Sequence, residues 1–308
     1  MKLIRNRQGS LYEVQFEIEN KCALNCLHCS SILLRKSERQ CVDFKEFICF
    51  LERLNSKIFL CVTGGEPLIH ENICEKFYLC RKQLDGISLG MFTSGITQGL
   101  KPISLSFANR LKASGLDECY VSLFHSLPEY HDKVTGLSGS HALTLESIGN
   151  LMNVGVIVNV HTVINAFNYI ELERIIADFL GMGINSVRVL RIVNAGSASE
   201  NWNAIGLPDE VQNQIVLKLL DSVSKYKSKL TFSGFPERIA CRPFNSALKC
   251  QAGINLLYVT ANGDVYPCAC TKNSRFLIGN VQDYDLMQKI DILYNDRLYH
   301  DKCLNTML

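Results

Sequence analysis

Three cysteines stand close together near the start of the chain, at Cys22, Cys26 and Cys29. They follow residues 14–18, in which apolar and polar side chains alternate as they do in a half-buried strand, so we expect them in the loop at the C-terminal end of that strand. Three thiolates can hold three corners of an iron–sulfur cube, and such clusters normally have four cysteine ligands. The spacing therefore predicts a cluster in which one iron is left to bind another ligand.

Two other interpretations of these cysteines stay open at this point. Residues four and seven positions apart share one face of a helix, so the three thiols could pack in a core as small apolar groups. A zinc ion accepts the same ligands, although it usually has four of them. Lys21, Asn25 and His28 would make a poor buried face, and this favours the cluster.

The spacing Cys-x3-Cys-x2-Cys, with His28 directly before the last thiol, resembles the signature loop of the radical S-adenosylmethionine (SAM) family. The resemblance implies a 4Fe-4S cluster whose free iron is chelated by the amino and carboxylate groups of SAM. It further implies an electron donor such as flavodoxin or ferredoxin, because an electron passing through the cluster breaks the sulfonium bond. The 5′-deoxyadenosyl radical so released abstracts hydrogen from a substrate.

The composition excludes several classes of protein. The 308 residues carry 32 basic and 30 acidic side chains, a formal charge of +2, so no strong field favours nucleic acid as a partner. No signal peptide and no apolar run of about 18 residues occurs, which predicts a cytoplasmic protein with no membrane association. In such a protein 14 cysteines indicate metal ligands rather than disulfides.

Short β-rich runs alternate with longer helical patterns up to about residue 195, which is typical of a parallel sheet with helices outside it. Strands are predicted near 13–18, 58–63, 87–93, 119–124, 156–163 and 186–192, and helices near 43–55, 71–84, 104–113, 141–154, 170–180 and 208–226. Six βα units are too few for the usual eight-stranded barrel. We therefore expect an α/β fold with a partial (βα)6 TIM-like barrel, as the family resemblance also implies.

Candidate SAM contacts follow the second strand. Gly64 and Gly65 would let the backbone approach a ligand closely, and Glu66 offers a carboxylate at the strand's C-terminal end. These residues and Pro67 resemble the family's SAM-binding motif. The resemblance implies that they meet the ammonium group of SAM.

The later strands add polar residues at corresponding positions. Thr93 and Ser94 end the third strand, and the resemblance implies that they contact the ribose or carboxylate of SAM. Ser122 ends the fourth strand and resembles the family's next SAM contact. Asn159 and Arg191 are expected to face the barrel interior from the fifth and sixth strands, where each would meet a ligand.

No catalytic residue is assigned. Residues 129–140 are expected to form a long rim loop, and its His131-Asp132 pair is interpreted as loop structure rather than as an acid and base. Six scattered cysteines are interpreted as core residues: Cys41, Cys49, Cys61, Cys74, Cys80 and Cys119.

A second cysteine group surrounds a predicted β-hairpin. Residues 256–260 and 265–267 read as its strands, with Asn262-Gly263 as the turn signal. The pattern resembles the start of the SPASM or "twitch" extension of radical SAM enzymes, which implies a second, auxiliary 4Fe-4S cluster. Its expected ligands are Cys250, Cys268, Cys270 and Cys303. Cys241 could take the place of Cys270 or Cys303. A zinc site from the same thiols is the alternative.

These features divide the chain into a radical SAM partial barrel at 1–230 and a small β-hairpin and helix metal-cluster domain at 231–308.

The resemblance implies SAM cleavage and hydrogen abstraction from a ribosomally made peptide, with crosslink formation or epimerisation as the outcome. Only about 20 residues precede the cysteine loop, so a peptide substrate is expected to need a separate leader-recognition protein or a small recognition surface. A radical SAM dehydrogenase of a small cyclitol or sugar, a maturase of protein residues, and a metal-binding scaffold without activity are the alternatives.

Overall fold

The computed structural model describes residues 11–32, 41–221, 226, 229–235 and 251–297. Its strands are β1 Leu11–Glu19, β2 Lys57–Gly64, β3 Ser88–Thr93, β4 Ile96–Thr97, β5 Lys101–Pro102, β6 Glu118–Ser122, β7 Ile157–Val163, β8 Ser186–Leu190, β9 Leu230–Ser233, β10 Leu256–Val259, β11 Asp264–Tyr266 and β12 Gly279–Asn280. Its α-helices are α1 Phe44–Arg53, α2 Ile73–Gln83, α3 Leu105–Ala113, α4 Pro128–Thr135, α5 Ser140–Asn153, α6 Leu172–Gly181, α7 Ser197–Glu200, α8 Trp202–Ile205, α9 Asp209–Asp221 and α10 Leu286–Arg297. Short 3-10 turns lie at Pro67–Ile69, Ala269–Thr271 and Ser274–Phe276.

The strands form one large sheet in the order β12-β11-β10-β1-β2-β3-β6-β7-β8-β9. Every pairing from β10 to β9 is parallel, whereas β10, β11 and β12 pair antiparallel. Within the described residues the sheet has two edges, at β12 and β9, as expected of a partial barrel. The predicted α/β class with a mainly parallel sheet is confirmed.

The core lies between the sheet and its outer helices. Helix α1 begins at Asp43, whose side chain accepts a hydrogen bond from the Lys45 N–H. Its apolar face packs on β1, where the rings of Phe47 and Phe16 stack with centroids 3.8 Å apart. The C-terminal ends of the parallel strands lie together at one edge of the sheet. The strands concerned are β1, β2, β3, β6, β7 and β8.

Three predicted features need correction. The rim segment is not a long loop, because α4 spans Pro128–Thr135; Pro128 suits the first turn and Gly136, with φ +72°, ends the helix. Strand β9 was not predicted, and it pairs parallel with β8 beyond the predicted six strands. The small hairpin of β4 and β5 was not predicted either.

The scattered cysteines also divide differently from the prediction. Cys61, Cys80 and Cys119 are buried, and Cys74 is partly buried against the core. Cys41 and Cys49 are exposed, so their assignment to the core was wrong. Cys49 lies on the outer face of α1, whose apolar residues point the other way.

The predicted C-terminal hairpin is present, and it continues the main sheet. Tyr258 of β10 pairs with Tyr266 of β11, and β10 itself lies parallel to β1. The turn between the strands contains Gly263, with φ +87°. The division of the chain at residue 230 stays a prediction. Among the described helices, none has the length and apolar character that a bilayer crossing requires.

Candidate functional site

The cysteine loop leaves the sheet directly after β1. The Glu19 carboxylate accepts hydrogen bonds from the N–H groups of Asn20 and Lys21, each at 2.9 Å, which turns the chain away from the strand. None of residues 20–30 is helical. The three cysteines therefore do not share a helix face, and the core-packing interpretation was wrong.

Three segments hold the loop by backbone hydrogen bonds. The N–H groups of Gly65 and Glu66 donate to the carbonyl oxygens of Glu19 and Lys21, at 2.6 and 2.8 Å. The Leu27 N–H donates to the Val134 carbonyl oxygen at 2.9 Å. These contacts tie the loop to the end of β2 and to α4.

The third segment precedes α7. The Ser197 N–H donates to the Cys29 carbonyl oxygen at 2.9 Å. A Cβ atom on Gly196, where φ is +60°, would lie 2.3 Å from that oxygen, and one on Gly65 would lie 2.0 Å from the Lys21 oxygen. Both positions therefore require glycine. The prediction was that Gly65 lets the backbone approach a ligand, but the close approach in the structure is to the cysteine loop.

The loop side chains differ in burial. Cys22, Cys26 and Cys29 are half-buried, whereas Leu24 between them is buried and anchors the loop. Cys29 lines the cavity described below. This donor set fits an iron–sulfur cube, since soft thiolates are its usual ligands.

Within the described ranges, no three His, Cys, Asp or Glu side chains converge as the ligands of one metal ion would. Ligands of a cube bind separate irons and need not converge in this way.

A cavity of about 340 Å³ opens at the C-terminal ends of the parallel strands. Its lining includes Cys29, Ser122, His161, Arg188, Tyr258 and Lys272. A second cavity, of about 630 Å³, adjoins it and shares Ser30, Arg191, Cys270 and Lys272. Both volumes lie in the range of small-molecule sites.

The predicted SAM contacts fall into two groups. Gly64, Ser122 and Arg191 line the first cavity. Glu66 is 2% exposed and lies beside it, where its carboxylate accepts hydrogen bonds from Thr93 Oγ1 at 2.5 Å and from Ser94 Oγ at 2.6 Å. Burial raises the pKa of Glu66 even though these hydrogen bonds oppose the shift. These three residues thus contact one another, and none of them lines the two cavities.

Asn159 lies below the cavity on the inner face of β7. Its side chain donates to Glu118 at 2.9 Å and accepts from Asn185 and Ser186, at 2.8 and 2.6 Å. These partners use its polar atoms, and it lines neither cavity. Arg191 forms an ion pair with Asp209, so its charge is already compensated.

The rim helix α4 supports the loop from one side. Its His131 accepts a hydrogen bond from the Phe124 N–H at Nδ1, and burial, together with the neighbouring His141, lowers its pKa to about 3. Asp132 accepts hydrogen bonds from the N–H groups of Gly139 and His141, at 2.6 and 2.8 Å, and so fixes the start of α5. The pair lies in a helix and not in the predicted loop, but these contacts are structural, as the interpretation expected.

Sequence reasoning missed a buried polar network between the cysteine loop and the C-terminal hairpin. Lys272 donates to Ser31 Oγ at 2.6 Å and lies 3.2 Å from Glu17 Oε1. The Tyr258 hydroxyl donates to the same Glu17 oxygen at 2.6 Å. Arg188 on β8 was also missed, although its position between Val187 and Val189 in a buried strand was a usable signal.

The second cysteine group lies only partly within the described residues. Cys268 precedes the 3-10 turn Ala269–Thr271, Cys270 lies within it, and Cys270 lines both cavities. Their thiols are in hydrogen-bonding contact, which together with burial raises the pKa of Cys268. The predicted ligands Cys250 and Cys303, and the substitute Cys241, lie outside the described residues.

Comparison with known proteins supplies independent evidence. The profile of the radical SAM superfamily matches residues 16–179, and that of SPASM, an iron–sulfur cluster-binding domain, matches residues 250–299. The first implies a 4Fe-4S cluster and SAM, and the second implies auxiliary iron–sulfur clusters, so the predicted cofactors agree with both.

Among curated relatives, the chain is 26% identical over 272 residues to mycofactocin maturase MftC of Mycolicibacterium smegmatis, covering 86% of this chain and 66% of that protein. It is 24% identical over 255 residues to the PqqA peptide cyclase of Ruegeria pomeroyi, covering 82% and 66%. The chain thus spans slightly less than two thirds of the length of these relatives.

Solved structures share the fold. Streptococcus suis SuiB bound to S-adenosylmethionine superposes with a TM-score of 0.70 at 16% identity, covering 92% of this chain and 67% of that one. The anSMEcpe structure with bound AdoMet gives 0.70 at 17%, covering 94% and 82%. The superfamily profile extends over more than half of the 308 residues and contains the clamped cysteine loop and the Gly64-Gly65-Glu66 turn. This chain belongs to the radical SAM superfamily.

Proposed function

We propose that the protein is an enzyme that cleaves SAM reductively and abstracts hydrogen from a ribosomally made peptide. One observation carries the proposal: backbone hydrogen bonds from β2, α4 and the turn before α7 hold the cysteine loop at the strand ends, and Cys29 opens onto the cavity there. A loop fixed in this way keeps the sulfur atoms in place beside a ligand site.

In this proposal Cys22, Cys26 and Cys29 hold the 4Fe-4S cluster, and SAM occupies the first cavity, which Cys29 lines. The bound cluster supplies the electron that cleaves the sulfonium bond. Gly64 and Ser122 line the cavity, which supports them as direct SAM contacts. Glu66, Thr93 and Ser94 are assigned a supporting role, since their hydrogen bonds to one another stiffen the strand ends beside it.

The C-terminal unit, 231–308, is proposed to bind one auxiliary cluster. Cys250, Cys268 and Cys270 fall inside the SPASM match, which supports them as ligands. Cys303 and Cys241 both lie outside that match, which covers residues 250–299, so either is a candidate for the remaining position.

Relatives and structural neighbours support a peptide substrate. The name of the PqqA peptide cyclase states a peptide substrate, and SuiB has been solved with its precursor peptide SuiA. Crosslink formation or epimerisation is therefore our proposed class of outcome. A separate leader-recognition protein and a flavodoxin or ferredoxin would be the partners.

A small-molecule substrate is the second candidate. The AdoMet-dependent heme synthase of Methanosarcina barkeri is 22% identical to this chain over 289 residues, covering 88% of this chain and 79% of that protein. That coverage of the relative exceeds the coverage of the two peptide-modifying relatives.

The test is a reductive assay of the reconstituted protein. Anaerobic protein is incubated with dithionite and SAM, and 5′-deoxyadenosine is measured with and without a short peptide encoded beside the gene. We expect 5′-deoxyadenosine from the wild type, none from Cys29→Ala, and a mass change in the peptide. Iron-loaded wild type that produces no 5′-deoxyadenosine would refute the enzyme, whereas cleavage with an unchanged peptide would favour the small-molecule candidate.

A further inference from the structure

Three cations line the two adjoining cavities, and two of them have a carboxylate partner. Arg191 pairs with Asp209, and Lys272 pairs with Glu17. Arg188 is the exception among the described residues, since no carboxylate there lies within ion-pair distance of it. It donates a long hydrogen bond from Nε to Thr231 Oγ1, at 3.4 Å, and its guanidinium lies over the Tyr120 ring, 5.4 Å from the centroid.

The sheet register places Arg188 in a polar row. Ser122, His161 and Arg188 are paired across β6, β7 and β8, and all three line the first cavity. Thr231 follows in the same row on β9. The row therefore offers two hydroxyl groups, an imidazole and a guanidinium along one level of the inner face.

Arg188 is half-buried beside aromatic rings. Phe92 and Tyr120 pack on the His161 ring, with centroids 5.1 and 4.8 Å away. Burial, with a contribution from Arg188, lowers the pKa of His161 well below its usual value, so the imidazole stays neutral. A positive charge in such a place normally has an anionic partner. Glu118, an acid on the same inner face, has its carboxylate hydrogen-bonded to Asn159 and Tyr120 rather than paired with Arg188.

We propose that Arg188 is the binding residue for a carboxylate of the substrate. The planar guanidinium fork matches a carboxylate in two parallel hydrogen bonds, and the low dielectric strengthens them. The inference rests on the proposed function and narrows it to substrates that carry an acidic side chain or a C-terminal acid near the reacting position.

The position of Arg188 separates this carboxylate from that of SAM. Arg188 precedes the last residue of β8, Leu190, by two positions, so it lies one inward layer below the strand ends. The cysteine loop lies beyond those ends, next to Gly196 and Ser197. The amino and carboxylate groups of SAM belong at the cluster, and the substrate supplies the acid for the deeper layer.

The experiment compares matched acidic and neutral peptides by calorimetry on the reconstituted protein with SAM bound. One pair is acetyl-Ala-Glu-Ala-amide and acetyl-Ala-Gln-Ala-amide; the other is acetyl-Ala-Ala-Ala as the free acid and as the amide. We expect wild type to bind one acid about tenfold more tightly than its neutral match, and Arg188→Gln to lose that preference. The pair that shows the preference identifies the acid as a side chain or a C-terminus.

Controls keep the result specific. Arg188→Lys retains the charge and should keep part of the preference, and Arg174→Gln, on the exposed face of α6, should keep all of it. Iron content and circular dichroism establish that the variants are folded. Absence of acid preference in wild type, or its survival in Arg188→Gln, would overturn the proposal.

A SAM titration provides the remaining arm. The dissociation constant of SAM should change by less than about twofold in Arg188→Gln. A large rise in that constant, with peptide preference unchanged, would assign Arg188 to the carboxylate of SAM and overturn the substrate subsite. If the proposed function were wrong, wild type would form no 5′-deoxyadenosine. The calorimetric comparison of peptides measures binding only, so it would still test Arg188.

Discussion

The ammonium group of Lys272 lies 3.2 Å from the carboxylate of Glu17, and their side chains are only 8% and 6% exposed. Glu17 belongs to β1, while Lys272 follows the C-terminal hairpin. Lys272 also donates to Ser31, just beyond the last cysteine of the loop. A buried ion pair therefore joins the C-terminal extension, the first barrel strand and the cysteine loop.

Removing one member of this pair should destabilise the protein strongly. Lys272→Met leaves the Glu17 charge buried without its cation, and such a loss costs about 3–5 kcal/mol. We expect a corresponding fall in the free energy of unfolding, measured by urea denaturation under anaerobic conditions.

Two variants show whether the cost comes from the buried charge. Lys289→Met removes an exposed lysine that pairs with Asp283 and Asp285, and should cost far less than Lys272→Met, because solvent screens that pair. Glu17→Gln combined with Lys272→Met should be more stable than Lys272→Met alone, because no unpaired charge remains. Equal losses from Lys272→Met and Lys289→Met would contradict the role of the pair.

Gly65→Ala should disrupt the cysteine loop. The new Cβ would lie 2.0 Å from the Lys21 carbonyl oxygen, which is backbone and cannot rotate away. We expect the purified variant to lose about one cluster's worth of iron, measured by iron and sulfide analysis.

Gly149→Ala is the matched control for that change. Gly149 lies within α5 and has no atom within 4 Å of an added Cβ. The substitution should leave the iron content unchanged and stabilise the helix by about 0.5–1 kcal/mol. Full iron occupancy in Gly65→Ala would show that the loop tolerates displacement.

Local patterns were enough to predict the strand ends that form the site. The alternation in residues 14–18 and the cysteine spacing predicted the loop after β1, and the Asn262-Gly263 turn predicted the hairpin. The contact partner of Gly65 was not predictable. A pair of glycines allows another group to approach the backbone closely, but it does not indicate which group that is. In the structure it is the neighbouring loop.

Contacts between distant segments could not be read from the sequence. Lys272 and Glu17 are 255 residues apart, and nothing local to either indicates the other. Arg188 and Arg191 pose a similar problem, since both stand near the end of one strand. Only the position of Asp209 shows that Arg191 is paired.

Protonation of His131 should reduce stability in mild acid. Burial, with help from His141, lowers its pKa in the folded protein to about 3, against about 6.5 in the unfolded chain. The unfolded state binds more protons between these values, so this contribution is complete above about pH 6.5 and is lost as the pH falls towards 3.

For this one group, the linkage amounts to about 1 kcal/mol between pH 8 and pH 5.5. His131→Gln, which keeps an acceptor near the Phe124 N–H, should reduce the pH dependence of the unfolding free energy by that amount. Other histidines contribute to the wild-type slope, so the difference between the two proteins is the measurement. Identical slopes would place His131 in solvent contact.

The two cysteine groups should be separable by mutation. In Cys29→Ala the first cluster loses a ligand and SAM cleavage should stop. In Cys268→Ala, as in Cys250→Ala, iron should fall by about one cluster while most 5′-deoxyadenosine formation remains, because that chemistry belongs to the first cluster. Cys49→Ala removes an exposed thiol from the outer face of α1 and should change neither the iron content nor 5′-deoxyadenosine formation.

The hydrogen bond from buried Lys272 to Ser31 limits this independence, because unfolding of the C-terminal extension would also release Ser31 beside the cysteine loop. Thermal unfolding of Cys268→Ala distinguishes the cases: loss of cleavage at an unchanged melting temperature would mean that the two groups of thiols serve one shared site.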